Sequence, residues 1–130
     1  MTPDPNPEPA AARILVVEDE VLIRADIAAE LREAGFSVLE AASADDALSY
    51  FKAGIQVDLV FSDIQLSGSS LDGLRMAQQL RGEYADLPIV LTSGNHLRGP
   101  DVEHFVPKPY DVRRVILLII ELLAGTQGPR

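Results

Sequence analysis

The sequence of 130 residues contains no cysteine. This absence excludes a disulfide scaffold, a cysteine-ligated zinc site and thiol catalysis. Basic residues are also scarce, since 11 Lys and Arg stand against 20 Asp and Glu and give a formal net charge of −9. Such a balance argues against direct binding of nucleic acid, for which a basic face is the usual footprint.

Long hydrophobic runs are missing as well. The longest apolar run, Val115 to Ile120, is far shorter than the roughly 20 residues that cross a bilayer. Hydrophobic residues make up 47% of the chain and charged residues 24%, an ordinary globular balance. We therefore expect a cytoplasmic protein with no membrane contact and a single domain, the usual number for a chain of this length.

Proline is concentrated in the first ten residues, MTPDPNPEPA, which contain four of the nine prolines. We expect residues 1–11 to form a flexible tail, residues 12–125 to form one domain and residues 126–130 to form a second flexible tail. Six residues follow Ala124, so for a complete chain we expect no further DNA-binding domain, although the two ends fit a piece of a longer protein equally well. We expect the domain to act by contact with another protein.

From Arg13 onward, short apolar runs alternate with segments of helical periodicity. This alternation is typical of buried parallel strands joined by right-handed helical crossovers. It predicts strands near residues 14–17, 36–40, 58–63, 87–92 and 103–106, and helices near residues 21–34, 44–52, 71–81 and 111–124. The predicted fold class is α/β, a doubly wound five-stranded parallel sheet with helices on both faces.

The fourth connection is unusual, because residues 93–102 contain two glycines and a proline. A full crossover helix does not fit there, so the fourth crossover helix is predicted to be short or absent.

Ligands of open α/β sheets lie beyond the carboxyl ends of the strands. There the sequence places three acids, hydroxyl residues and a lysine: Glu18, Asp19, Asp63, Thr92, Ser93 and Lys108. Clustered carboxylates without cysteine favour a hard cation, above all Mg²⁺. The lysine and a hydroxyl are suited to holding phosphoryl oxygens.

Four motifs carry a resemblance to a known family: ILVVEDE at 14–20, DLVFSD at 58–63, PIVLTSG at 88–94 and FVPKPY at 105–110. In this order and spacing, residues 13–124 resemble the receiver domain of bacterial two-component response regulators. The resemblance implies a flavodoxin-like fold with strand order 2-1-3-4-5. It also implies a signalling phosphoacceptor that catalyses only its own phosphorylation and dephosphorylation.

The resemblance assigns roles to the residues at the strand ends. Asp63 matches the phosphoacceptor, whose carboxylate attacks phosphorus and becomes an acyl phosphate. Asp19 matches a direct Mg²⁺ ligand, together with Asp63 itself. Glu18 matches a ligand that acts through water, and Gln65 matches the position that binds the metal through its backbone carbonyl.

Three more matches concern the phosphoryl group and the response to it. Ser93, five residues after Pro88, matches the hydroxyl that binds a phosphoryl oxygen, in preference to Thr92. Lys108 matches the lysine that pairs with the phosphate, and its bond to Pro109 is cis in this family. Ser93 and Phe105 match the two switch positions.

The sequence departs from the family pattern after Asp63. Ser67 stands where a proline is usual, and Asp72-Gly73 follows Asp63 by nine residues instead of about seven, through the stretch 67–70 that we expect to be flexible. This two-residue insertion is expected to alter solvent access and the lifetime of the acyl phosphate. The glycines of the shortened crossover predict that phosphorylation mainly reorders residues 94–104.

The implied partners are a sensor histidine kinase or a histidine phosphotransfer protein as donor, and a downstream target protein. The resemblance does not define an oligomeric state, because the helix of the usual dimer surface is the shortened one. The main alternative is a pseudo-receiver, a binding module that acts without phosphorylation. A flavodoxin-like cofactor binder is disfavoured, because Glu18, Asp19 and Glu20 occupy the place of its phosphate loop and would repel a phosphate.

Overall fold

The structure is a computed structural model, and it describes residues 11–94 and 103–126. Most of the predicted N-terminal tail and residues 127–130 of the predicted C-terminal tail lie outside the described residues. Residues 95–102 of the fourth crossover also lie outside them. Two expectations fall largely on that segment. One is that the fourth crossover helix is short or absent, and the other is that phosphorylation reorders residues 94–104.

Strands and helices alternate along the described chain as the sequence predicts. The elements are β1 (Arg13–Val17), α1 (Val21–Glu33), β2 (Ser37–Ala41), α2 (Ala44–Lys52), β3 (Leu59–Asp63), α3 (Gly73–Glu83), β4 (Ile89–Ser93), β5 (His104–Pro107) and α4 (Val112–Thr126). The five strands form one parallel sheet in the order β2-β1-β3-β4-β5. The predicted fold class and strand order are confirmed.

Two hydrophobic layers lie on opposite faces of the sheet, because successive strand residues point to opposite sides. On one face, Leu15 and Leu91 pack with Met76 of α3 and Ala47 of α2. On the other face, α1 and α4 pack against Ile14, Val16, Phe61 and Val90. All five residues of β3 and of β4 are buried, as expected for central strands covered on both faces.

Side-chain caps set the beginnings of two helices. Ser43 caps α2, because its side chain accepts a hydrogen bond from the backbone N–H of Asp46 at 3.1 Å. Helix α3 begins at Gly73 and not at Leu71 as its apolar spacing predicts. The reason is that the Asp72 carboxylate caps α3, accepting from the N–H of Arg75 at 2.8 Å, which leaves Leu71 outside the helix.

Gly73 lies where α3 approaches the end of β3. Its N–H donates to the carbonyl of Ile64 at 2.7 Å. A side chain at this position would overlap the backbone carbonyl of Asp63, far inside van der Waals contact. The glycine therefore allows α3 to start directly beside the carboxyl end of β3.

Within the described ranges, no helix is both long and apolar enough to span a membrane.

Candidate functional site

Three carboxylates meet at the carboxyl edge of the sheet. Glu18 and Asp19 follow β1, and Asp63 is the last residue of β3. These two strands are paired in parallel, with Val17 opposite Ser62, so their ends emerge side by side. Carboxylate oxygens of Glu18, Asp19 and Asp63 lie within 4.8 Å of one another. The predicted acidic cluster is thus present.

Lys108 reaches this cluster from the segment after β5. Its Nζ donates to Asp63 Oδ2 at 2.7 Å and to Glu18 Oε2 at 3.2 Å. Its backbone N–H donates to the carbonyl of Ser93 at 3.0 Å, which ties the lysine to the end of β4. Asp63 is 6% exposed and Glu18 is 3% exposed, so the lysine bridges two buried carboxylates.

Burial and neighbouring charges shift the pKa values of Glu18 and Lys108. Burial, with a smaller contribution from the Asp63 carboxylate, raises the pKa of Glu18 to about 7, although hydrogen bonds from Glu20 and Lys108 oppose the rise. Burial alone would lower the pKa of Lys108, but the Asp63 and Glu18 carboxylates outweigh it and raise that pKa. The lysine is therefore held in its charged form.

Asp19 lies closer to solvent than the other two acids. Its Oδ2 accepts a hydrogen bond from the N–H of Ser67 at 3.0 Å. Burial would raise the pKa of Asp19, but the hydrogen bonds from Ser67 outweigh burial and lower it. Asp19 is therefore ionised at neutral pH and available as a ligand for a cation.

Gln65 also lies beside Asp63. Its N–H donates to Asp63 Oδ1 at 3.0 Å, and its side chain is exposed. This contact is made by the backbone N–H and not by the carbonyl, so binding of a metal by the Gln65 carbonyl stays a prediction.

The donor set suits a hard divalent cation. Three carboxylates carry more negative charge than the single ammonium of Lys108 neutralises. Carboxylate and carbonyl oxygens are the ligands that Mg²⁺ takes in proteins. The residues present therefore fit Mg²⁺, and the described part of the chain holds no competing soft ligand in this cluster.

Ser93 and Thr92 both lie at the end of β4, where they are buried. Thr92 is the register partner of Asp63, and Ser93 is one residue further along. The Thr92 hydroxyl has no hydrogen-bond partner among the described residues. The two neighbouring residues point to opposite faces of the sheet, so one hydroxyl is directed into each layer.

Phe105 lies on β5 opposite Leu91. It is partly buried and packs against the layer that contains α2 and α3. Three residues later the Lys108–Pro109 peptide bond is cis, as the family resemblance implies. Phe105 is thus near the site along the chain, and its ring packs among apolar residues.

The serine-rich stretch after Asp63 has hydrogen-bond partners that the sequence analysis missed. Ser69 Oγ accepts from the N–H of Ala44 at 2.9 Å. The N–H of Ser70 donates to the Asp45 carboxylate at 3.1 Å, and the Ser70 hydroxyl donates to the same carboxylate. The first N–H groups of a helix lack internal partners. The unpaired N–H groups at the start of α2 were therefore the sequence signal that a nearby loop, here residues 67–70, would supply a hydrogen-bond acceptor.

A family model described as the response regulator receiver domain matches residues 14–119. The nitrogen assimilation regulatory protein NtrX of Azorhizobium caulinodans is 33% identical over 112 residues, which cover 81% of this chain and 24% of that protein. The chain thus spans about a quarter of the length of this relative.

Solved structures of response regulators are also similar to this chain. The receiver domain of NtrX from Brucella abortus is 35% identical, with a TM-score of 0.74 and coverage of 85% of this chain and 97% of that one. The response regulator TrrA from Thermotoga maritima, in complex with Mg²⁺–BeF, is 31% identical with a TM-score of 0.76. That match covers 85% of this chain and 98% of TrrA.

Proposed function

The chain belongs to the response regulator receiver domain family of two-component systems, and on that basis we propose that Asp63 is its phosphoacceptor. Domains of this family are signalling phosphoacceptors. The observation that carries the assignment is the surroundings of Asp63: it is buried, Lys108 donates to its Oδ2 at 2.7 Å, and two further acids lie within 4.8 Å.

The proposed step is an in-line transfer from a phosphohistidine. An Asp63 carboxylate oxygen forms a bond to phosphorus, while the bond from phosphorus to the imidazole nitrogen breaks and its electron pair stays on that nitrogen. Lys108 then exchanges its ion pair with the carboxylate for one with the phosphoryl oxygens. The Ser93 hydroxyl donates to another phosphoryl oxygen.

The proposed cofactor is Mg²⁺. Asp19, Asp63 and the backbone carbonyl of Gln65 would bind it directly, and Glu18 would bind it through water. When bound, it neutralises charge on the transferring phosphoryl group. The Mg²⁺–BeF complex of the similar TrrA supports this assignment. Among the protein's own groups, Asp19 is already ionised, whereas Glu18 has a pKa near 7.

The phosphoryl donor is proposed to be a sensor histidine kinase or a histidine phosphotransfer protein. Val21 and Leu22 begin α1 immediately after the acidic cluster, and both are highly exposed. They give a donor an apolar contact beside the mouth of the site.

The response is proposed to involve Ser93 and Phe105 as switch residues and a downstream target protein that reads the change by contact. The domain would also hydrolyse its own aspartyl phosphate. We assign this function to residues 12–125 and place it in the cytoplasm, where histidine kinases present their phosphohistidine.

Incubation with acetyl phosphate and Mg²⁺ tests the assignment, with the phosphorylated residue identified by mass spectrometry. Asp63→Asn is expected to abolish labelling. The control is Asp86→Asn, an exposed aspartate before β4 at the opposite edge of the sheet, which should leave labelling unchanged. Labelling of Asp63→Asn at the original rate and at no new site would show that Asp63 is not the acceptor. No response of the unmodified protein to acetyl phosphate or beryllofluoride would favour the pseudo-receiver.

A further inference from the structure

The loop between β3 and α3, residues 64–72, is tied in its first half to the acidic cluster. The N–H of Gln65 donates to Asp63 Oδ1 at 3.0 Å, and the N–H of Ser67 donates to Asp19 Oδ2 at 3.0 Å. Asp19 and Ser67 are separated by 48 positions, so the second bond joins the end of β1 to this loop. The first half of the loop therefore holds two of the three carboxylates.

The second half of the loop is tied to the start of α2. Ser69 Oγ accepts a hydrogen bond from the N–H of Ala44 at 2.9 Å. The Asp45 carboxylate accepts two hydrogen bonds from Ser70, one from its N–H at 3.1 Å and one from its hydroxyl. These two bonds lower the pKa of the Asp45 carboxyl, so the acceptor is charged at neutral pH. Hydrogen bonds to a charged acceptor are stronger than those between neutral groups.

The two halves are close together in the chain, so the position of one half depends on the other. Only Gly68 separates Ser67 from Ser69, and its φ of 76° lies in the left-handed region that glycine adopts readily. Leu66 is buried in the same hydrophobic layer as Ala44. The loop is thus attached to the acidic cluster, to the hydrophobic layer and to α2. The attachment to α2 lies in the stretch where this chain departs from the family pattern.

We propose that the contact between Asp45 and Ser70 positions a metal ligand of this domain. By holding the loop on α2, it keeps the N–H of Ser67 on the Asp19 carboxylate and limits the rotation of that carboxylate before a cation binds. A site that is already ordered loses less conformational entropy on binding, so its Kd is lower. Asp45 and Ser70 are positioning residues that act through Ser67. This inference rests on the proposed binding of Mg²⁺ by Asp19.

The next residue of α2 provides an internal comparison. Asp45 and Asp46 are both exposed acids in the first turn of α2, where the helix dipole favours either one. Among the described residues, those of the loop bond to the Asp45 carboxylate and not to the Asp46 carboxylate. Replacing either acid therefore removes the same charge from the same helix end, but only Asp45 releases the loop.

Titration of isotope-labelled protein with magnesium chloride, followed by amide NMR shifts, measures the Mg²⁺ Kd without any phosphorylation. Asp45→Ala should raise the Kd about three- to tenfold, because the loop must then be ordered as the metal binds. Asp46→Ala should leave it unchanged. Ser70→Ala should raise it less, since the N–H of Ser70 remains, whereas Ser70→Thr keeps the hydroxyl and should keep the original Kd. The double variant Asp45→Ala/Ser70→Ala should match Asp45→Ala, because both lose the same contact.

Urea unfolding with a chelator present separates positioning from stability. A purely structural role would lower the metal-free stability of Asp45→Ala and leave its Kd for Mg²⁺ unchanged, and that result overturns the proposal. An equal rise in Kd for Asp46→Ala also overturns it, because it would show a general effect of charge. If the unmodified protein and both single loop variants bind Mg²⁺ equally well, the metal assignment stands and only the positioning role fails. An unmodified protein that binds no Mg²⁺ overturns the metal assignment and this inference together.

Discussion

The ammonium of Lys108 donates to Asp63 Oδ2 at 2.7 Å, and the two residues are separated by 45 positions in the chain. The same ammonium donates to Glu18 at 3.2 Å. A single cation thus holds two buried carboxylates that would otherwise repel each other at close range. The stability of the metal-free domain should depend on this contact.

Lys108→Met is expected to destabilise the metal-free protein by about 1–3 kcal/mol, because two buried carboxylates lose a charged partner. Asp63→Asn alone should cost less, since it removes an acid from a crowded site. The double variant Lys108→Met/Asp63→Asn should recover part of the loss. Urea unfolding in the presence of a chelator measures all four proteins. Equal stability of Lys108→Met and the unmodified chain would contradict the bridging role.

Mg²⁺ should raise the melting temperature, because it binds the assembled carboxylates and not the unfolded chain. At a tenfold excess over its Kd, the expected gain is about 1.4 kcal/mol. Asp19→Ala should remove most of it, because Asp19 is the most exposed of the three clustered carboxylates and is ionised at neutral pH. Asp26→Ala, an exposed aspartate on α1, is the control and should keep the shift. Melting curves that do not move with millimolar Mg²⁺ would count against the site.

The metal-free protein should lose stability as pH rises from about 5 to about 7. The pKa of Glu18 is about 7 in the folded chain and near 4.5 when unperturbed. Between these values the folded state holds a proton that the unfolded state has lost, so stability falls as pH rises.

Glu18→Gln should reduce the loss of stability between about pH 5 and pH 7. Glu20→Gln, at an exposed position two residues away, should leave that loss unchanged. Urea titrations at several pH values, with a chelator present, measure the slope. A slope that is the same in the Glu18 variant and the unmodified protein would show that Glu18 does not titrate in this range.

Gly73→Ala should strongly destabilise the domain, because the added methyl group would overlap the backbone carbonyl of Asp63. Gly82→Ala on the same helix is the matched control. Nothing lies near a methyl group there, and alanine favours helix over glycine by about 0.5–1 kcal/mol. Thermal unfolding should therefore shift in opposite directions for the two variants. A neutral Gly73→Ala would mean that α3 can move away from β3 without cost.

Much of the fold could be predicted from the sequence, because the responsible interactions are local. Apolar runs such as residues 14–17 and 59–61 marked buried strands, and the polar residues at their ends followed from the geometry of parallel strands. The observed ends of an element differ from the predicted ends by a residue or two where a capping side chain sets the boundary. Asp72, for example, caps α3 and leaves Leu71 outside the helix.

Only the tertiary structure decided which groups at the sheet edge touch. Lys108 bridges both Asp63 and Glu18, and the second contact spans 90 positions. Neither that contact nor the raised pKa of Glu18 is visible in local sequence, because both depend on burial by distant elements. The stretch at 67–70, predicted to be flexible, instead has hydrogen-bond partners at Asp19, Ala44 and Asp45. Serine hydroxyls and backbone N–H groups bind whatever donor or acceptor the fold brings near, and their sequence alone does not specify the partner.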